Sequence, residues 1–267
     1  MNRTIFRSML DLRRTSLLWY SFGITVYGWF MVAFYPSVAK NAAFMQTMQE
    51  VWPETILDVF GGAGLDLATL GGFLGLEYLS LMWVFIVGTA AIMFAAGALG
   101  GSVDDGTMEI TLAQPVSRMQ IVSVRYLSLV VYTAVLNLVT VASLYVAGLV
   151  HGVDVPLDGI ASLFALGWLV SVAIGSVAYA LSAHSATGSH ATSISLGVLV
   201  TMWFADVLGT ISDRAEWLSR FTLFHYWKPA SLINEGVLPF ESLAIFGVAT
   251  LLFLVIAVVA FLRRDVV

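Results

Sequence analysis

Long apolar runs alternate along this chain with short polar stretches. Most of the runs carry no charge and are at least as long as the roughly 20 apolar residues that a helix needs to cross a bilayer. They are continuously apolar rather than alternating, which favours membrane helices over the strands of a closed β-barrel. We predict six membrane-spanning helices, at about 16–38, 78–102, 119–150, 159–183, 190–211 and 241–262.

The composition supports an integral membrane protein. Of 267 residues, 59% are hydrophobic and only 11% are charged, whereas soluble domains carry about 25% charged residues. The absence of cysteine excludes disulfides, thiolate metal sites and cysteine nucleophiles. The net charge of -5 is scattered, and no basic run indicates a nucleic-acid partner. The predicted fold class is therefore an all-α membrane protein with one transmembrane domain over residues 1–267.

The distribution of lysine and arginine predicts the orientation. An even number of spans puts both termini on one side of the membrane, and the side richer in these residues is the cytoplasmic one. One side carries eight of them: Arg3, Arg7, Arg13, Arg14, Arg118, Arg125, Arg263 and Arg264. The other side carries four: Lys40, Arg214, Arg220 and Lys228. We expect a multi-pass protein of the plasma membrane with both termini in the cytoplasm.

Residues 2–15 are predicted to form a helix in the cytoplasmic interface before the first span. The basic side chains on one face are Arg3, Arg7 and Arg14, and the apolar ones largely opposite are Ile5, Phe6, Met9 and Leu12. A frayed basic tail that only orients the protein is the alternative. The first apolar run is too long for a signal peptide and lacks a cleavage site, which favours a signal anchor.

Two segments on the outer side are longer than a turn. Residues 40–77 contain a predicted short helix near Pro53 and a glycine-rich stretch. Residues 212–241 are rich in aromatic side chains, namely Trp217, Phe221, Phe224, Tyr226 and Trp227. These rings fit an aromatic belt at headgroup depth and, equally well, a partly re-entrant cap over a pathway.

The polar stretch VDDGTMEITLAQPVSRMQI, residues 103–121, lies between the second and third spans. Asp104, Asp105 or Thr107 is predicted to cap a helix, with Glu109 in its first turn. That helix is short because Pro115 biases the preceding residue away from the helical region. A second helix then begins with Ser117 as its cap, with Gln120 completing a capping box and Val116 and Ile121 a hydrophobic staple.

This stretch resembles the cytoplasmic loop of the ABC type-2 permease family, whose pattern is an acid, Gly-Thr, one residue, Glu, and later Pro-x-Ser-Arg. The number of spans, the interfacial helix, the segment TLFHYWKPASLINEG at 222–236 and the tail FLRRDV at 261–266 also agree. The resemblance implies that region 104–116 holds a coupling helix. The residues expected to contact an ATP-hydrolysing partner are Asp104, Asp105, Gly106, Thr107, Glu109, Pro115, Ser117 and Arg118.

The family also implies a function. This chain would be the permease subunit of an ATP-driven exporter that moves a hydrophobic or amphipathic drug, lipid or peptide outward. It would work as a homodimer with two ATP-binding cassette subunits, which bind the ATP and magnesium. The chain itself lacks a phosphate-binding loop, since neither Lys40 nor Lys228 stands in a Gly-Lys-Ser/Thr motif, so no cofactor and no catalytic residue are expected here.

Two alternatives to export remain. One is a permease of the same family that acts in maturation of an extracytoplasmic protein. The other is an intramembrane enzyme, which would need a buried acid–base cluster that the sequence does not display.

A few polar residues fall within the apolar runs. Asn137 and Asp206 are candidates for a substrate pathway, although a bond between helices and an anchor at the interface are the favoured roles. His184 and His190 are too widely spaced for a metal pair on one helix face, so no metal site is predicted. Small residues four apart, Gly97 with Gly101 and Ser171 with Gly175, predict close helix packing.

Overall fold

The computed structural model describes residues 3–40, 69–185 and 187–264, and within these ranges all regular structure is helical. In chain order the α-helices are α1 (Arg3–Leu12), α2 (Arg14–Ala39), α3 (Leu70–Leu74), α4 (Met82–Ala96), α5 (Ser102–Asp104), α6 (Thr107–Leu112), α7 (Arg118–His151), α8 (Leu157–His184), α9 (Gly188–Ile211), α10 (Glu216–Ser219), α11 (Pro229–Glu235) and α12 (Phe240–Arg263). Two π-helical turns, Gly75–Leu79 and Gly97–Gly101, extend α3 and α4. We call Gly97–Gly101 the π segment.

Six helical stretches in the described part of the chain are long and apolar enough to cross a membrane, as predicted. They are α2, the continuous stretch Met82–Asp104, α7, α8, α9 and α12. The predicted ranges lie within these helices except at the second span. There the helix begins at Met82 rather than 78, because residue Leu81 leaves helical geometry.

Helix α8 lies at the centre of the bundle, in contact with α4, α7, α9, α11 and α12. Small residues permit this approach. A Cβ at Gly167 would meet the Asn137 amide oxygen at 2.7 Å, and one at Gly159 would meet the backbone of Ile233. The small residues of α8 thus let neighbouring helices pack at backbone distance.

Three spans lie at the periphery of the single chain. In α2, α9 and α12 only 17% to 22% of the residues in an apolar 18-residue stretch of the helix are buried. In the other three spans the corresponding share is at least 56%. Their exposed side chains include Phe22, Phe204 and Leu252. In a bilayer this apolar surface faces lipid or another chain.

One end of the bundle gathers basic side chains, and we call it the basic end; the other is the distal end. The basic end contains the start of α2, the π segment, the start of α7, the end of α8 and the end of α12. Arg118 donates a hydrogen bond to the carbonyl of Arg264 there, and the Arg264 guanidinium donates to the Ala183 carbonyl at 3.2 Å.

Helix α1 packs against α7 at the basic end. Ile5 and Met9, one turn apart, are buried, as the predicted apolar face requires. Leu12 differs from the prediction, because its side chain is 77% exposed. The helix ends at this residue and the chain bends at Arg13 into α2, so the amphipathic pattern stops short of Leu12.

The aromatic segment at the distal end, residues 212–241, combines features of both predicted arrangements, the belt and the re-entrant cap. Trp227 and Phe224 are buried, and the Trp227 ring stacks on Trp83 at 5.1 Å. Trp217 and Phe221 are exposed, as belt residues are. The segment therefore inserts two of its aromatic rings among the helices and leaves two outside. The helix predicted near Pro53 lies outside the described residues.

Candidate functional site

The loop between the second and third spans is built around a reversal at Gly106. This glycine adopts the left-handed conformation with φ +69° and is the residue before α6. A Cβ there would meet nothing within 4 Å, so a substitution would be opposed by backbone conformation and not by crowding. The reversal ends the second span and points α6 in a new direction.

The predicted side-chain cap of α6 is wrong. The residue at the cap position is Gly106, and no side chain of Asp104, Asp105 or Thr107 caps the helix. The Thr107 hydroxyl instead donates to the carbonyl of Ser102 at 3.2 Å, one of the free carbonyls at the end of the second span. Thr107 thus joins α6 to the second span.

Helix α6 presents two unlike faces. Met108 is completely buried against the bundle. Glu109 and Ile110 are exposed, with Ile110 at 68%, and both Asp104 and Asp105 before the helix are exposed. An exposed apolar side chain beside three carboxylates is a surface to which a partner protein can bind.

The end of the loop agrees with the sequence prediction. Ser117 Oγ accepts from the backbone of Gln120, and Gln120 Oε1 accepts from the backbone of Ser117, both at 3.2 Å, so the predicted capping box is confirmed. Pro115 lies in the turn between α6 and α7 and is exposed. Pro115 and the capped residue Ser117 stand on either side of Val116. Together they restrict the backbone of the turn and so set the angle between α6 and α7.

Directly before this loop, the π segment is contacted from several helices. The Ser182 hydroxyl of α8 donates to the Ala96 carbonyl and accepts from the Gly100 amide, both at 2.8 Å. The Arg13 guanidinium lies against Gly97. A Cβ at Gly188, which begins α9, would lie 2.8 Å from the Cα of Gly101. The glycine at 97 thus leaves room for a guanidinium, and the glycine at 188 lets α9 approach the backbone of the π segment.

Arg125 is the residue at this site that sequence reasoning missed as a functional candidate. It lies about two turns into α7, is 4% exposed, and donates through Nη1 to the carbonyl of Ala98 and to Ser102 Oγ, the latter at 2.8 Å. The sequence signal was available, because an arginine inside an apolar run is by default a functional candidate. In the sequence prediction Arg125 serves only as one of the eight basic residues that indicate the orientation.

The cation of Arg125 is balanced by dipoles. Within the described residues the one salt bridge joins Arg220 and Glu216, so no carboxylate there pairs with Arg125. Its partners lie near the C-terminal end of the second span, where free carbonyls give the helix dipole its negative pole. Arg125 therefore binds the third span to the end of the second by charge-assisted hydrogen bonds.

Asn137, near the middle of α7, and Asp206, near the end of α9, lie away from the loop and make local contacts. The Asn137 amide donates to the Thr133 carbonyl at 2.9 Å and to Ser171 Oγ on α8 at 3.1 Å. Asp206, at the distal end of α9, accepts from the Thr222 hydroxyl at 2.9 Å. Both contacts connect neighbouring parts of the bundle. No group of acidic or histidine side chains in the described residues could hold a metal ion.

The chain was compared with known proteins. A family model described as ABC-2 family transporter protein matches residues 9–266. A comparison with curated protein sequences found no match.

Proposed function

Because the chain belongs to the ABC-2 transporter family and is a membrane permease component, we propose that it moves a hydrophobic or amphipathic substrate outward, driven by ATP hydrolysis in a partner. The family implies an ATP-binding cassette partner, and ATP and magnesium belong to that subunit. We propose two copies of each subunit, with both termini of the permease in the cytoplasm.

The observation that carries the proposal is the connection between an exposed helix and the second span. Glu109 and Ile110 are available on α6, while Met108 anchors the same helix in the bundle. Thr107 bonds the start of α6 to Ser102. A partner that moves α6 would therefore move the end of the second span with it.

From there the movement has a physical route into the other spans. Ser102 accepts from Arg125 on α7, and four residues away Ala98 accepts from the same guanidinium. Ser182 connects the π segment to α8, the central helix. A π-helical turn, whose hydrogen-bond register differs from that of the helix around it, is frequent at functional sites. We place the coupling site at α6, the π segment and Arg125.

The substrate class is inferred from the apolar surface of the bundle. The peripheral spans α2, α9 and α12 expose apolar and aromatic side chains. A pathway between two such chains would favour drugs, lipids or amphipathic peptides over ions. In this proposal Asp206, half-buried near the distal end of α9, is the candidate polar contact of the pathway. Asn137 is buried between α7 and α8, so it would lie beside the pathway and not on it.

The test is a charge reversal in α6. Glu109→Lys removes a favourable interaction with the helix dipole, worth about 0.3–1 kcal/mol, and places a cation where the cassette subunit meets an acid, which costs several kcal/mol at an interface. We expect normal insertion, at least tenfold weaker retention of the cassette subunit that co-purifies with the wild-type chain, and loss of substrate-stimulated ATP hydrolysis.

The matched control is Glu241→Lys, which reverses an exposed acid in the first turn of α12 at the distal end. Subunit retention, ATPase rate and transport in proteoliposomes are measured for both variants. The proposal fails if Glu109→Lys keeps its partner and transports at the wild-type rate.

A further inference from the structure

A groove between α8 and α12 at the basic end joins an apolar wall to a basic mouth. Its volume is about 520 Å³. The lining residues that matter here are Val255, Ile256, Val259 and Ala260 along α12, and His184 with Arg263 at the helix ends. The apolar wall continues up α12 through Leu251 and Leu252, which are more than half exposed.

The basic side chains at the mouth have no acidic partner in the described part of the chain. Arg264 donates to the Ala183 carbonyl at 3.2 Å, and its own carbonyl accepts from Arg118. Arg263 is exposed and enters none of the described ion pairs. Asp265 follows in sequence and lies outside the described residues. Two guanidinium groups, those of Arg263 and Arg264, therefore line the mouth, and Arg118 contacts the backbone beside them.

His184 adds a further donor. Its Nδ1 faces the Ala180 carbonyl at 3.0 Å, and because a carbonyl only accepts, Nδ1 carries the proton. Nε2 is then the ring nitrogen left to face the groove. When both ring nitrogens carry a proton, Nε2 can donate to an acceptor in the groove.

We propose that this groove binds an anionic phospholipid of the inner leaflet, with the headgroup phosphate at Arg263 and His184 and an acyl chain along Val255 and Val259. Basic pockets at the cytoplasmic ends of membrane helices suit such headgroups, and the exposed apolar wall matches a lipid tail. The site goes beyond transport and coupling, and only its assignment to the inner leaflet rests on the proposed orientation.

A second copy of the chain fits this groove less well. A two-fold contact places the same patch of both copies face to face. That arrangement would bring the arginines of one mouth toward those of the other, and like charges at an interface are costly. Charge complementarity therefore favours a lipid as the occupant.

The experiment measures lipid retention by native mass spectrometry on the full-length chain in detergent. Dioleoylphosphatidylglycerol and dioleoylphosphatidylcholine are titrated into the wild type and the variants. We expect the wild type to retain the anionic lipid preferentially. Arg263→Gln and His184→Gln should each lower its affinity, Arg263→Gln by about fivefold, and Arg263→Lys should restore most of it.

Two further variants separate the groove from overall charge. Arg214→Gln removes an exposed arginine at the distal end and should leave retention unchanged. Val259→Trp fills the groove without changing charge and should reduce retention of the anionic lipid. Equal binding of both lipids, or unchanged retention in Arg263→Gln and Val259→Trp, overturns the proposal. So does a Val259→Trp variant that changes from dimer to monomer, because the groove would then be a protein interface.

Discussion

At the scale of single residues, Arg125 is a buried cation that connects the third span to the second. It is buried, and its Nη1 serves two acceptors near the end of the second span. Its Nε has no hydrogen-bond partner among the described residues. A fully satisfied structural arginine would use more of its donors. An arginine with an unused donor can change its hydrogen-bond partners at low cost. This suits a contact that differs between two arrangements of the spans.

Replacing Arg125 tests this role. Arg125→Met removes two charge-assisted hydrogen bonds but also a buried cation, so the two effects on stability oppose each other. We expect a loss of about 1–3 kcal/mol in the free energy of unfolding together with a much larger loss of transport per ATP hydrolysed. Arg125→Lys keeps the charge with a different reach and should recover part of the coupling.

Unfolding in detergent and the ratio of transport to ATP hydrolysis are the two measurements. The control is Arg220→Met, which removes an exposed arginine from a helical ion pair; such pairs contribute about 0–1 kcal/mol. If Arg125→Met loses stability and transport in step, with the ratio unchanged, Arg125 is a packing residue only.

At the scale of elements, the turn between α6 and α7 sets how movement of the short helix reaches the third span. Pro115 ends the helical run, and the capping box at Ser117 starts the next one. We expect Pro115→Ala to let α6 extend toward α7. The cassette subunit would still bind, because the exposed face of α6 is unchanged, but hydrolysis would no longer drive transport.

Retention of the cassette subunit and transport are measured for Pro115→Ala and for Pro239→Ala, which makes the same change at the start of α12 at the distal end. Only Pro115→Ala should uncouple ATP hydrolysis from transport. Wild-type transport in Pro115→Ala would mean that the angle between α6 and α7 carries no signal.

The same elements show what sequence could and could not predict. The capping box follows from residues three apart, and the six long helices follow from uninterrupted apolar runs, so both are local signals. The contact of Arg125 with Ala98 and that of Ser182 with Gly100 join residues 27 and 82 positions apart. No local pattern specifies such pairs. The predicted side-chain cap of α6 is wrong because the Thr107 hydroxyl donates to a carbonyl of the preceding helix instead.

At the scale of the whole molecule, the apolar surface left on α2, α9 and α12 requires a membrane around it. In the proposed dimer, a second permease copy would pack on part of this surface, away from the groove between α8 and α12. Arginine and lysine are distributed eight to four between the two ends, which predicts that the basic end lies in the cytoplasm. That placement decides whether α6 can meet a cytoplasmic cassette subunit, so orientation is the condition on which the coupling proposal depends.

Orientation can be measured directly because the chain contains no cysteine. Single substitutions Ser8→Cys and Ser189→Cys mark exposed positions at the basic end, and Ser37→Cys and Glu235→Cys mark exposed positions at the distal end. A membrane-impermeant maleimide added to intact cells should label only the second pair, and all four should react after lysis. Four sites on four separate segments keep one local distortion from deciding the result. Labelling of Ser8→Cys and Ser189→Cys in intact cells would put α6 outside the cell, where no ATP-binding subunit could reach Glu109, and the coupling proposal would fall with the orientation.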